Sequence, residues 1–157
     1  MTHLIRYTVL FSVLFTSSFI SRAQNCGPVD RPALRKMLTE LGYEVKDLET
    51  TPGKEKYEVS HTKQGFNVPV AYEISPSTNY IWLTVYLGKP PADTSIRNSQ
   101  LLRQNFTIQP CQFYITEKGN MMMGLAIENR GVTNAVLKRL SDMVTDKVVQ
   151  TTSYWNQ

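Results

Sequence analysis

An amphipathic helix is the first element that the hydrophobic pattern predicts. Apolar residues lie at i, i+3, i+4 and i+7 and form one stripe, which consists of Leu34, Met37, Leu38 and Leu41. Asp30 stands where an N-cap is expected, and Gly42 follows the stripe, where helices commonly end. We expect the stripe to pack against the rest of the protein.

Three segments with strand patterns follow this helix. Residues 56–61 alternate weakly, and residues 66–74 alternate clearly, with the period of a strand that buries one face. Residues 80–87 (YIWLTVYL) are apolar at nearly every position, which is typical of a central strand. Pro69 cannot donate a hydrogen bond to a neighbouring strand, and it therefore predicts an edge position or a bulge.

The second half of the chain predicts a helix, a hairpin and a long final helix. The helix covers about residues 95–105, and the hairpin joins strands at 111–116 and 121–128. Thr133 is the expected N-cap of the last helix, whose apolar positions again repeat every three or four residues. The order αβββαββα predicts an α+β fold: an antiparallel five-stranded sheet with three helices.

Residues 1–23 have the pattern of a secretory signal peptide. Arg6 precedes an apolar stretch over residues 8–20, and Ser21 and Ala23 place small residues at the −3 and −1 positions of a cleavage site after Ala23. The stretch is shorter than the roughly 20 residues of a membrane span. We therefore predict a secreted or periplasmic protein whose residues 24–157 form one domain, without a membrane span after cleavage. The alternative is an envelope component anchored by an uncleaved N-terminus.

Composition and charge narrow the classes of function. The chain of 157 residues is 41% hydrophobic and 19% charged, as in globular domains. Cleavage after Ala23 removes two of the 17 basic residues and none of the 13 acidic ones. Basic and acidic residues are interspersed without a basic stripe, and we therefore expect no nucleic-acid partner.

The cysteines allow two interpretations. Cys26 and Cys111 would lie in an oxidising compartment after export, which makes them candidates for a disulfide. Alternatively, they are two unrelated free thiols. The sequence has no C-x-x-C or H-E-x-x-H zinc motif and no phosphate-binding glycine loop, so we expect no metal and no cofactor.

Few residues offer catalytic chemistry. His61 is the one histidine of the predicted mature chain, and no nucleophile motif or zinc motif surrounds it. We accordingly predict a protein without enzymatic activity. The alternative is a small secreted hydrolase that uses Glu58 and His61 as acid and base.

The third predicted strand is apolar on both of its faces. Tyr80, Trp82 and Tyr86 share one face, and the aliphatic residues share the other. Either helices cover both faces of the sheet, or one face is left for a partner, a ligand or a second subunit. For the second case, the candidate partner-binding residues are these three aromatic residues and Leu101 and Leu102 of the middle helix.

Four short segments resemble the type III secretion chaperones (the CesT-like, or Tir-chaperone, superfamily) and their YbjN-type relatives. The resemblance covers about residues 30–155, and its segments are Leu41-Gly42-Tyr43, Tyr80-Ile81-Trp82-Leu83, 101–105 (LLRQN) and 127–133 (IENRGVT). It implies a binding module that is not an enzyme and is commonly dimeric. A cytosolic chaperone of secreted effectors has no use for a signal peptide, so the chaperone role does not carry over to this chain. The resemblance implies the shape and a homodimer, with a protein or peptide as the partner.

Overall fold

The computed structural model describes residues 27–90 and 95–156. The predicted signal peptide and Cys26 lie outside these residues. Four helices are described: α1 (Arg31–Glu40), α2 (Ser95–Thr107), α3 (Asn134–Gln150) and α4 (Thr152–Trp155). The strands are β1 (Val45–Glu49), β2 (Lys56–Lys63), β3 (Phe66–Ile74), β4 (Tyr80–Gly88), β5 (Gln112–Ile115) and β6 (Met121–Glu128).

The six strands form one antiparallel sheet in the order β1-β2-β3-β4-β6-β5. The α+β class and the antiparallel sheet are therefore confirmed. The prediction of five strands and three helices is wrong, since the described residues contain six strands and four helices. The sequence analysis missed β1 because four of its five residues are exposed at the edge of the sheet, which leaves no alternating pattern.

Pro69 lies in a central strand, yet its surroundings explain the proline. It pairs with Ser60 of β2, while the pairing of β3 with β4 begins only at Ala71. The first half of β3 is thus an edge on the β4 side, where a missing N–H costs no ladder hydrogen bond. The expectation of an edge position holds locally, within a strand that is otherwise central.

Two helices build the core on one face of the sheet. α1 contributes Leu34 and Leu38, and α3 contributes Leu137 and Val144, all fully buried. α3 contacts β2, β3, β4 and β6, whereas α2 packs beside β5 at the end of the sheet. The predicted caps are confirmed, because Asp30 Oδ1 accepts a hydrogen bond from Ala33 N at 2.8 Å and Thr133 Oγ1 accepts one from Val136 N at 3.3 Å. Among the described residues, no helix has the length and apolar character to cross a membrane.

Candidate partner-binding surface

β4 separates a buried face of the sheet from an uncovered one. Its aliphatic residues are buried beneath the helices, and they are Ile81, Leu83, Val85 and Leu87. On the other face, the side chains of Tyr80 and Tyr86 are 47% and 54% exposed, and Trp82 and Thr84 are half-buried. None of the described helices covers this second face, which we call the open face. Of the two interpretations of the aromatic strand, the described residues therefore fit the one with an uncovered sheet.

The strand register brings other residues to the open face. Tyr86 lies opposite Met122 of β6, and Met122 lies opposite Tyr114 of β5, so three large side chains form a row across the strands. A neighbouring row is small, since Thr84 lies opposite Gly124. A depression of about 540 Å³ lies over this small row, and it is lined by Lys56, Glu73, Trp82, Thr84, Gln112, Tyr114, Thr116 and Met122.

Gly124 lets the ring of Tyr114 lie close to the sheet. A Cβ atom at position 124 would stand 2.9 Å from Tyr114 Cε1, closer than two carbon atoms can approach. Burial raises the pKa of Tyr114 above its ordinary value, and its hydroxyl therefore stays protonated at neutral pH. The sequence analysis missed Tyr114, although a glycine inside a strand pattern is a signal for such a close approach.

The charges of the open face are paired on its β1–β2 side. Lys56 forms an ion pair with Glu73, and Lys46 Nζ lies 3.3 Å from Glu58 Oε1. The Lys56–Glu73 pair lies beside Trp82 and lines one side of the depression, and the other residues of its lining are uncharged. The depression therefore suits an apolar or aromatic group with hydrogen-bonding atoms at its border.

The two predicted residues of α2 have different surroundings. Leu101 is buried, while the Leu102 side chain is 69% exposed, and Phe106, one turn further along, is 82% exposed. A groove of about 250 Å³ lies between α2 and β5, and it is lined by Asn98, Leu101, Leu102, Phe113, Tyr114, Ile115 and Met121. Leu101 therefore belongs to the floor of this groove and Leu102 to its surface.

Asn105 fixes α2 against β5. Its Oδ1 accepts a hydrogen bond from Phe113 N at 2.7 Å, and its Nδ2 donates one to Phe113 O at 3.2 Å. These two bonds satisfy the backbone N–H and carbonyl oxygen of Phe113, which have no neighbouring strand on that side of β5. They also hold α2 and β5 together along the groove. Tyr114 lines both the groove and the depression of the open face, so the two surfaces adjoin.

Glu58 and His61 are not brought together. Along β2, Tyr57, Val59 and His61 face the helices, whereas Glu58 pairs with Lys46 on the other side. Residues three apart in a strand point to opposite faces. The hypothesis that Glu58 and His61 act as an acid–base pair is therefore wrong.

His61 does lie in a small pocket with two carboxylates. The pocket, of about 210 Å³, is lined by Tyr43, Ser60, His61, Thr62, Lys63, Asp142, Thr145 and Asp146. Asp146 pairs with Lys63, and Asp142 Oδ2 accepts a hydrogen bond from Lys138 Nζ at 2.8 Å. Both carboxylates thus have cationic partners.

Cys111 is buried in the core, and burial raises the pKa of its thiol to about 11. Because Cys26 lies outside the described residues, a disulfide between the two stays a prediction. Within the described part of the chain, no three residues among His, Cys, Asp and Glu are grouped to hold a metal ion.

Three solved structures are similar to this arrangement. SchA, in the HopA1–SchA chaperone–effector complex, has a TM-score of 0.50 at 11% identity, covering 73% of this chain and 86% of the other. The overall fold of this chain is therefore similar to that of SchA. No protein-family model and no curated protein matches the sequence.

Two further matches have lower scores. A structure of the Yersinia pestis type III secretion chaperone SycH with a fragment of YscM2 has a TM-score of 0.49 at 15% identity, covering 74% of this chain and 94% of that chain. The ExoU–SpcU complex from the type III secretion system of Pseudomonas aeruginosa has a TM-score of 0.48 at 15% identity, covering 76% and 95%.

Proposed function

We propose that this protein is a secreted binding module without enzymatic activity, built on the chaperone-like fold. Residues 1–23 direct export, and residues 24–157 form the single secreted or periplasmic domain. The open face of the sheet holds a segment of a protein or peptide partner. The observation that carries the proposal is the uncovered aromatic face around Trp82 and Tyr86.

The chemistry of the open face suits protein recognition. Tyrosine and tryptophan combine a large apolar ring with a hydrogen-bond donor, and they are enriched at interfaces for that reason. Trp82 and Tyr114 line a depression whose charged lining residues, Lys56 and Glu73, are paired with each other. A partner with an exposed apolar or aromatic side chain would fill it, while backbone groups beside that side chain would meet Gln112 and Thr116 at the border.

The groups that would support catalysis are engaged in structural contacts. His61 bonds to Tyr72, and the nearby Asp142 and Asp146 are paired with lysines. Ser141 donates its hydroxyl proton to the Leu137 carbonyl oxygen at 2.8 Å, so that proton is not directed at a base. These contacts favour a binding protein over a hydrolase, and we propose no cofactor and no nucleic-acid partner.

The surface is tested by selecting peptides of about twelve residues from a random library against residues 24–157. We expect peptides that bind the wild-type chain and lose about tenfold or more in affinity with Trp82→Ala or Tyr86→Ala. Arg139→Ala, at an exposed position of α3, is the control and should bind as the wild type does. Selected peptides whose affinity is unchanged by both aromatic substitutions would contradict the proposed binding face.

Export is tested separately by mass spectrometry of the protein recovered from its producing cell. We expect the mature chain to begin at Gln24. A chain that keeps residues 1–23 would instead favour the anchored envelope component, and it would leave the binding surface as described.

A further inference from the structure

A chain of hydrogen bonds joins β2 and β3 to α3 beneath the surface. His61 Nε2 lies 3.1 Å from the Tyr72 hydroxyl. Tyr72 donates to Ser141 Oγ at 2.8 Å, and Ser141 donates to the Leu137 carbonyl oxygen, also at 2.8 Å. Tyr72 and Ser141 are buried, whereas His61 at the end of these bonds is half-buried.

The direction of these hydrogen bonds fixes the tautomer of His61. A carbonyl oxygen can only accept, so the Ser141 proton is used at Leu137 and the Tyr72 proton at Ser141. The Tyr72 oxygen is then left as an acceptor for His61, which must carry its proton on Nε2. Neutral His61 therefore has an unprotonated Nδ1.

We propose that His61 is an acid-sensitive contact that holds α3 on the sheet at neutral pH and loosens it when the imidazole is protonated. Protonation leaves the Nε2 bond to Tyr72 in place but adds a proton at Nδ1 and a positive charge. Both must then be accommodated in a half-buried position between β2, β3 and α3.

Among the residues that the structure describes, the groups around His61 do not provide a free counter-ion. From the segment after α1, the Tyr43 ring meets the imidazole edge-on, with centroids 4.9 Å apart. From β3 there is the neutral Tyr72. The charged groups of α3 and of the end of β2 are already paired, as Lys138 with Asp142 and as Lys63 with Asp146.

The electrostatic balance disfavours the charged imidazole. Burial lowers the pKa of His61 below its ordinary value of 6.5, an effect opposed by Asp142 and reinforced by Lys138. A folded pKa below the unfolded one means that the neutral form stabilises the fold. That stabilisation is complete above pH 6.5 and is lost as the pH falls from 6.5 toward the folded pKa.

The test compares the denaturation of wild-type and His61→Gln chains of residues 24–157 in urea, at about pH 7.5 and about pH 5.5. We expect the wild-type midpoint to fall at the lower pH and the pH dependence to shrink in the variant. Amide hydrogen exchange in residues 137–145, corrected for the intrinsic effect of pH, should accelerate at the lower pH in the wild type only. Equal pH dependence in both chains would overturn the proposal.

A second measurement needs no variant. The nitrogen chemical shifts of the His61 imidazole in the folded wild-type chain report its tautomer and its pKa directly. We expect a proton on Nε2 at neutral pH and a pKa below 6.5. A proton on Nδ1, or a pKa at or above that value, would contradict the proposal even if His61→Gln did not fold.

Discussion

Asn129 ties three distant segments together at the end of β6. Its side chain is fully buried, its Oδ1 accepts a hydrogen bond from Val29 N, and its Nδ2 donates to the carbonyl oxygens of Val29 and Thr78, each at 2.9 Å. The residue thereby anchors the segment before α1 and the turn between β3 and β4. Sequence reasoning gave it no role, because a lone asparagine after a strand carries no pattern.

Replacing Asn129 with alanine should lower the free energy of unfolding by about 2–4 kcal/mol, since buried backbone groups lose their partners. Urea denaturation followed by circular dichroism measures this loss. Asn67→Ala, at an exposed position of β3, is the matched control and should change the value by less than about 0.5 kcal/mol. Similar values for the two variants would show that water satisfies the groups that Asn129 now binds.

The Cys111 thiol should be nearly inert in the reduced, folded chain. Its burial and its pKa of about 11 leave little accessible thiolate near pH 8. Iodoacetamide labelling followed by mass spectrometry should therefore be slow without denaturant and fast with it. In chain purified without reductant, the predicted Cys26–Cys111 disulfide would block labelling even in denaturant, whereas two free thiols would both react.

The ends of the helices are the parts of the elements that local sequence determines best. Asp30→Ala removes the acceptor for Ala33 N and should cost about 1 kcal/mol of unfolding free energy, as measured by thermal or urea denaturation. Asp30→Ser keeps a capping oxygen and should retain most of the stability. A loss as large with serine as with alanine would mean that the carboxylate charge matters more than the cap.

Other features of the elements depended on contacts between segments. The stripe of α1 and the alternation of β3 were predictable, because each pattern is periodic within its own segment. β1 was not predictable, because four of its five residues are exposed and its sequence therefore has no apolar period. Glu58 and His61 are three residues apart in β2 and therefore point to opposite faces of the sheet, so the alternation of a strand already excludes them as a pair.

At the scale of the whole molecule, the sequence pattern does not predict which face of the sheet the helices cover. The strongly apolar β4 is compatible with two covered faces or with one. The placement of α1 and α3 on the Leu83 side decides between them, and it depends on contacts spread along the whole chain. The sequence also does not predict that the exposed residues of α2 lie beside the edge strand β5, because that position depends on the hydrogen bonds of Asn105 to β5.

Residues 24–157 should form a homodimer through the α2–β5 groove. Leu102 and Phe106 of α2 and the 45%-exposed Ile115 of β5 present apolar side chains to the surface, and a symmetric pair of such patches would bury both. Sedimentation velocity should give a dimer for the wild type and a monomer for Leu102→Asp or Phe106→Asp. Gln100→Asp adds the same charge to the opposite side of the helix and should remain dimeric. A wild-type monomer at about 100 µM would contradict this interface, because a dimer of ordinary affinity is saturated there.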